Sequence, residues 1–213
     1  MVEKPKAARS AFVKAAAAIA IIFGAGLALG AMLDSFRISF LNEELITANI
    51  ETESFLTSQA YLAGHEDYCA LMHNYLAALS RRVEQLGEDL SSLGSKMVFM
   101  NSTFLDRRYF LYEIRLWLIV ESYKERCNKS VNTILFFYSD GDDASFTQGL
   151  VLTSIKQKYQ DNVMIFSFKH GFDEPALRLI EEDYGIASSP SLVINGKLYS
   201  GFVSKGNLEK IMG

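Results

Sequence analysis

From residue 34 to about residue 130 the chain has no proline, and the whole of it holds only two cysteines and three histidines. Beyond residue 14 it also lacks any basic stripe interleaved with aromatics. Each scarcity excludes something. The missing basic stripe removes the electrostatic footprint that a nucleic-acid partner needs, so that class of function is set aside. His65, His73 and His170 are scattered, with no acidic or thiol partners at ligand spacing, and are read as surface or packing residues rather than metal ligands. No serine lies in a G-x-S-x-G elbow, so nothing marks a hydrolase nucleophile.

What is present is an ordinary globular balance, 49% hydrophobic and 22% charged, which excludes dominant disorder. The net charge of −4 is unevenly spread: Lys4, Lys6, Arg9 and Lys14 face only Glu3 in the first 14 residues, and everything after them is acidic. Ala15 to Leu33 is then 19 residues without a charge, about the length that crosses a bilayer. The basic flank predicts residues 1–14 in the cytoplasm, a transmembrane helix over 15–33 and the rest of the chain outside. The rival is a cleaved signal peptide, for which Ala28-Leu29-Gly30 offers small residues at the right spacing; the run exceeds the usual apolar region of about 7 to 15 residues. Gly26 and Gly30 form a GxxxG, a spacing that arises easily in a Gly- and Ala-rich span.

Residues 34–130 read as a helical stalk and an antiparallel coiled hairpin. Phe40, Leu41, Leu45, Phe55 and Leu62, closed by Gly64, lead away from the membrane. Cys69, Met72, Leu76, Leu79, Val83, Leu86, Leu90, Leu93 and Met97 then repeat at intervals of three and four, like a heptad seam. Breakers at Gly94-Ser95 and Asn101-Ser102-Thr103 precede a second periodic run through Leu105, Tyr109, Tyr112, Leu116, Ile119 and Tyr123. Trp117, with Tyr109, Phe110, Tyr112 and Tyr123, is expected to fill the interface between the two helices.

A turn near residue 98 would place Cys69 and Cys127 opposite one another, each 29 residues from it. A structural Cys69–Cys127 disulfide is predicted, which would persist outside the cytoplasm and, for a loop of this length, contribute about 4 kcal/mol by the chain-entropy model. Two buried free thiols are the alternative. Asn101-Ser102-Thr103 and Asn128-Lys129-Ser130 are N-glycosylation sequons, consistent with an outer location.

From Asn132 the period changes. Thr133 to Tyr138 is β-branched and aromatic and reads as a buried strand; a helix from about Phe146 to Tyr159 and a second buried strand, Asn162 to Phe168, complete a βαβ unit. A helix near Glu174 to Tyr184 follows, then a strand Ser191 to Ile194, an Asn195-Gly196 hairpin turn, a strand Lys197 to Ser200 and a helix from about Lys205 to Met212. The fold class is thus an α/β domain of order βαβαββα over 131–213, after an all-α hairpin and stalk and an N-terminal transmembrane helix.

Gly185-Ile186 followed by Ser189-Pro190-Ser191-Leu192-Val193-Ile194-Asn195-Gly196-Lys197, with Gly201 beyond, resembles the thioredoxin-like superfamily over these residues. The whole layout is similar to membrane-anchored, extracytoplasmic thioredoxin-like proteins of archaeal type. The resemblance implies a cis bond before Pro190, and cis occurs in only about 5 to 6% of X-Pro bonds. It also implies a Cys-x-x-Cys after the first strand, at a helix N-terminus that stabilises the attacking thiolate. This sequence departs there: Tyr138-Ser139-Asp140-Gly141-Asp142-Asp143-Ala144-Ser145 puts Asp142 and Ser145 at the cysteine positions, and no cysteine follows Cys127. Neither residue can form a mixed disulfide, so thiol-disulfide catalysis at this loop is not expected.

Three readings of the degenerate loop Asp142, Asp143, Ala144, Ser145 stand side by side. One of its polar residues caps the helix. Asp140, Asp142 and Asp143 hold calcium, although the EF-hand spacing and its closing Glu are missing. Or Ser189 beside Pro190 pairs its backbone with an extended client segment, which needs no cysteine. The expected protein is non-catalytic: a thioredoxin-like module at the cell membrane that binds or scaffolds extracytoplasmic proteins, with no cofactor and no metal. An accessory role beside a Cys-x-x-Cys paralogue is the first alternative. The second is a structural cell-surface or homo-oligomeric assembly built through the hairpin.

Overall fold

The computed structural model describes residues 6–93 and 102–213. The expected hairpin turn near residue 98, Gly94-Ser95, Met97, Asn101 and the first five residues of the basic tail lie outside the described residues. The chain divides into two compact units, at His65 and Glu66.

The first unit holds one helix, α1 (Lys6–Ala63), of 58 residues. Within it Lys14–Asp34 is apolar enough and, at 21 residues, long enough to cross a membrane, and none of that stretch is buried in the protein. No proline interrupts the helix, so the apolar span and the more polar turns after it form one continuous rod.

The second unit opens with α2 (Tyr68–Leu93) and α3 (Ser102–Cys127), which pack on one another. The seam residues Met72, Leu76 and Val83 are buried on α2, and Leu116, Ile119 and Tyr123 on α3. A Cys69–Cys127 disulfide, with Cα atoms 5.7 Å apart, ties the start of α2 to the end of α3.

The sheet follows, with elements β1 (Asn132–Tyr138), α4 (Asp143–Tyr159), a 3-10 turn Gln160–Asn162, β2 (Val163–Lys169), α5 (Pro175–Tyr184), β3 (Ser191–Ile194), β4 (Lys197–Ser200) and α6 (Lys205–Met212). The strand order is β2-β1-β3-β4. β1 and β2 are parallel, Ile134 opposite Ile165; β3 is antiparallel to both β1 and β4. Local chemistry explains the boundaries. Pro175 stands at the first position of α5, where its missing N–H costs nothing, and Gly185 closes that helix at φ 68°. Asn195 and Gly196, at φ 48° and 82°, make the two-residue turn whose twist matches the β3–β4 hairpin.

Residues 133–137 of β1 are all buried, because helices cover both faces of the sheet. On one side Ile134, Phe136, Val163 and Leu192 pack with Leu152 and Ile155 of α4 and Leu208 of α6. On the other, Phe168 stacks with Phe137 (centroids 5.5 Å apart) and with Phe110 of α3 (6.1 Å), which also meets Phe172 edge-on at 5.0 Å. Two aromatic residues of α3 correct the expectation of a filled hairpin seam, whereas Tyr123 is buried there and Tyr109 lies against Gly87 of α2. Phe110 belongs to the sheet's core, and Trp117 lies tilted against Tyr184 of α5 at 6.5 Å. α3 presents apolar side chains on two faces and serves both its hairpin partner and the sheet, and residues 66–213 form one compact unit.

Candidate functional site

The C-terminal end of β1 runs into a four-residue loop before α4. Gly141, at φ 71°, makes the turn, a conformation that side chains with a Cβ disfavour. Asp142 is the N-cap of α4. Its Oδ2 accepts the Ser145 N–H at 2.9 Å and the Ser145 hydroxyl at 2.6 Å. Those two donors, the hydroxyl first, hold the Asp142 carboxyl below the usual carboxylate range. Ser145 is buried, and its Oγ also accepts the N–H of Ser139 at 3.1 Å. The two positions that the resemblance aligns with the Cys-x-x-Cys cysteines thus share one hydrogen-bond network. Asp143 and Ala144 are exposed at the surface of the first helical turn.

The cis-proline loop lies alongside. The Ser189–Pro190 bond is cis, Ser189 Oγ is 2.6 Å from Ser139 Oγ, and the Pro190 carbonyl accepts the N–H of Gly201 at 2.8 Å. A single hydroxyl pair therefore joins the β1–α4 loop to the segment preceding β3. Behind it, fully buried Gln148 on α4 uses both ends of its amide on Val203, accepting that residue's N–H at 2.7 Å and donating to its carbonyl at 3.2 Å.

A cavity of about 750 Å³ opens over the loop, lined by Tyr138, Asp142 and Phe146 and by Asp106, Tyr109 and Phe110 of α3. Lys169, at the end of β2, pairs with Asp140. Burial raises the Asp106 carboxyl, an effect that Lys169 opposes and Asp140 reinforces; burial likewise pushes the Tyr138 hydroxyl up to about 12. Deeper along α3, Tyr109 Oη donates to the nearly buried Glu113 at 2.5 Å, and burial pushes the Glu113 carboxyl up to about 8.

Chemically the site offers hydroxyls, carboxylates and backbone groups. Both cysteines are in the disulfide, close to where β1 begins and so at the other end of that strand from Asp142. Among the described residues no group of three or more His, Cys, Asp or Glu is gathered as a metal cage. His65 and His73 are exposed, and His170 Nδ1 lies 2.9 Å from Glu181 Oε1. Asn128 is exposed at φ 49°, whereas Asn101 is outside the described residues.

Sequence reasoning did not find the Ser139–Ser189 pair, Gln148, Asp106 or the Tyr109–Glu113 pair. Only Gln148 carries a local signal, a polar residue on the same helical face as Leu152 and Ile155. The others are joined across the chain.

No protein-family model and no curated protein matches this chain. Solved structures do. Chloroplastic thioredoxin z is 13% identical, with a TM-score of 0.35 over 44% of this chain and 86% of its own. Thioredoxin-2, a component of malaria parasite protein secretion machinery, is 16% identical, with a TM-score of 0.34 over 39% of this chain and 82% of its own. A further malarial protein is 14% identical, with a TM-score of 0.33 over 38% and 93%. Each likeness covers less than half of this chain.

Proposed function

We propose that this protein is a redox-inactive, membrane-anchored thioredoxin-like module that binds or scaffolds other proteins outside the cytoplasm. The observation that carries the reading is the Asp142–Ser145 hydrogen bond beside cis Pro190, where a working oxidoreductase needs a thiolate. Asp142 Oδ2 accepts both donors of Ser145, which caps α4 and shapes the loop. Binding then falls to the backbone around Ser189, half-exposed beside Pro190, which can pair with an extended segment without covalent chemistry. The apolar stretch Lys14–Asp34, with basic residues before it, supports an anchor whose N-terminus is cytoplasmic, the arrangement of the archaeal-type proteins that the layout resembles.

The test is insulin reduction by the full-length, detergent-solubilised protein with dithiothreitol. The wild type is expected to match the protein-free rate, and the double variant Asp142→Cys, Ser145→Cys to exceed it about tenfold or more. A wild-type rate clearly above background would sink the reading.

A further inference from the structure

Among the described residues β2 is an edge of the sheet, pairing with β1 and with no other strand. Edge strands offer a row of backbone donors and acceptors, and proteins usually cover or blunt them. Here Lys156 blunts one end, its ammonium donating to the Val163 carbonyl at 3.0 Å. From Met164 to Lys169 no backbone hydrogen bond to a further strand is made among the described residues.

A trough follows this edge. Three hollows of about 500, 430 and 750 Å³ succeed one another beside it. The first two share Ser80, Glu84, Lys156 and Met164, and the second and third share Gly87 and Tyr109, so they are neighbours. Along β2 they touch Met164, then Ile165, then Ser167. The floor is α3, through Tyr109, Glu113, Leu116 and Val120, at the spacing of one helical face. The outer wall is α2, through Ala77, Ser80, Glu84 and Gly87. Ala77, Ser80 and Gly87 are the small residues of that stripe, and at Gly87 the wall comes close to α3, where an added Cβ would meet the Tyr109 ring at 3.4 Å.

The charge along the trough is uneven. At the end by the β1–α4 loop the third hollow is lined by Asp106, Asp140, Asp142 and Asp143, with Lys169 paired to Asp140. Aromatic side chains Tyr109, Phe110, Tyr138 and Phe146 line the same hollow. Carboxylates and aromatic side chains in one hollow suit a guanidinium or ammonium group.

We infer that the edge of β2 and the trough beneath α2 form a docking site for an extended segment of another protein, added as a strand and carrying an arginine or lysine where it meets the Asp106–Asp140–Asp142 end. Main-chain hydrogen bonds to β2 supply the binding, and alternate apolar side chains of the segment enter the hollows beside the part-exposed Met164 and Ile165. Six open residues of edge, at about 3.3 Å each, admit a segment of about six or seven residues. This rests on the binding-module reading and extends its surface from the β1–α4 loop along β2, on the side of β1 away from β3.

The probes are two end-capped, fluorescein-labelled heptapeptides of alternating valine and threonine, one with arginine at the N-terminal end and one at the C-terminal end. They are added to the full-length protein in detergent, and binding is read by anisotropy and by amide hydrogen exchange. One of the two is expected to bind and to slow exchange in β2 at least tenfold. A central proline in the peptide, or glutamate for arginine, is expected to weaken binding at least tenfold. Ser80→Trp and Ala77→Trp, each filling the trough, are expected to do the same while leaving the far-ultraviolet circular dichroism unchanged. Protection confined to Ser189–Ser191 would overturn the trough and leave the binding-module reading standing. Concentration-dependent protection of β2 without peptide would make a second copy of this chain the occupant and would also overturn it, as would no binding by either peptide at millimolar concentration. Failure of the redox-inactive reading is seen separately, in the insulin assay.

Discussion

Ser145 Oγ lies 2.6 Å from Asp142 Oδ2 and donates to it, while the N–H of the same serine reaches the same oxygen at 2.9 Å. One carboxylate oxygen thus satisfies two donors in the first turn of α4. Asp142→Ala removes both acceptor bonds and is expected to lower Tm by about 2–4 °C, with Asp142→Asn losing less. The Asp142 carboxyl is held below its unfolded value, so the benefit of its charge is present above the unfolded pKa and is lost as pH falls through the lower folded one. Thermal unfolding followed from pH 6 to pH 2 should show the gap between wild type and Asp142→Ala narrowing toward the acid end.

Glu113 has the opposite sign. Burial, the largest effect, lifts its carboxyl to about 8 against an ordinary 4.5, and the Tyr109 hydroxyl only partly opposes this. The neutral form is therefore favoured in the folded protein. The stability it contributes is full below the unfolded pKa and is lost as pH rises through the folded one, between about 4.5 and 8. Glu113→Gln, which keeps the neutral shape, is expected to match the wild type at pH 4 and to exceed it by at least about 1 kcal/mol at pH 9, at ~1.4 kcal/mol per unit of displacement. Urea titrations at the two pH values check this, and a gap of equal size at both would contradict it.

Gln148 is the polar keystone between α4 and the segment after β4. Gln148→Leu fills the same space but strands the buried N–H and carbonyl of Val203, at an expected cost of about 2–3 kcal/mol. Gln148→Glu keeps the acceptor for the N–H and loses the donor to the carbonyl. Equal unfolding midpoints for wild type and Gln148→Leu would show that the bridge contributes nothing.

The Cys69–Cys127 bridge closes 58 residues of chain around α2 and α3. Without it the helix pair is joined at one end only, and Cys69→Ala with Cys127→Ala is expected to cost about 2–4 kcal/mol. Native protein should take up no alkylating reagent until it is reduced. Free thiols in freshly prepared material would contradict both the bridge and the outside placement of this part of the chain.

A C-terminal epitope tag should be stained on intact cells, and mass spectrometry of membrane-extracted protein should find residues 1–33 retained. Loss of those residues would identify a cleaved signal peptide in place of the anchor. Staining only after permeabilisation would reverse the topology.

Much of the secondary structure was legible because it rests on neighbours in the chain. The run from Thr133 to Tyr138 could be read as a strand, and Asn195-Gly196 as a hairpin turn, since each carries its reason within a few residues. The interval of three and four from Met72 to Val83 showed a helix with one apolar face. α3 was harder. Its apolar residues surround more than one face, and period alone cannot say which partner takes which; Phe110 and Trp117 were assigned to α2 and belong to the sheet side. The cis bond before Pro190 was accessible through resemblance only, since nothing in Ser188-Ser189-Pro190 by itself demands it.

The sequence by itself determined that the degenerate loop has no thiol, that an apolar span of membrane length stands near the N-terminus, and that helices precede a mixed sheet. All of these follow from residue identity and local period. Only the tertiary structure decided that Ser139 meets Ser189, that Gln148 spans to Val203, and that Glu113 is buried against Tyr109. It alone also set α2 apart from the edge of β2 with a trough between them. Those facts depend on which surfaces face one another once α3 is shared between two neighbours, and a hydrogen bond or a cavity between segments tens of residues apart has no local pattern to announce it.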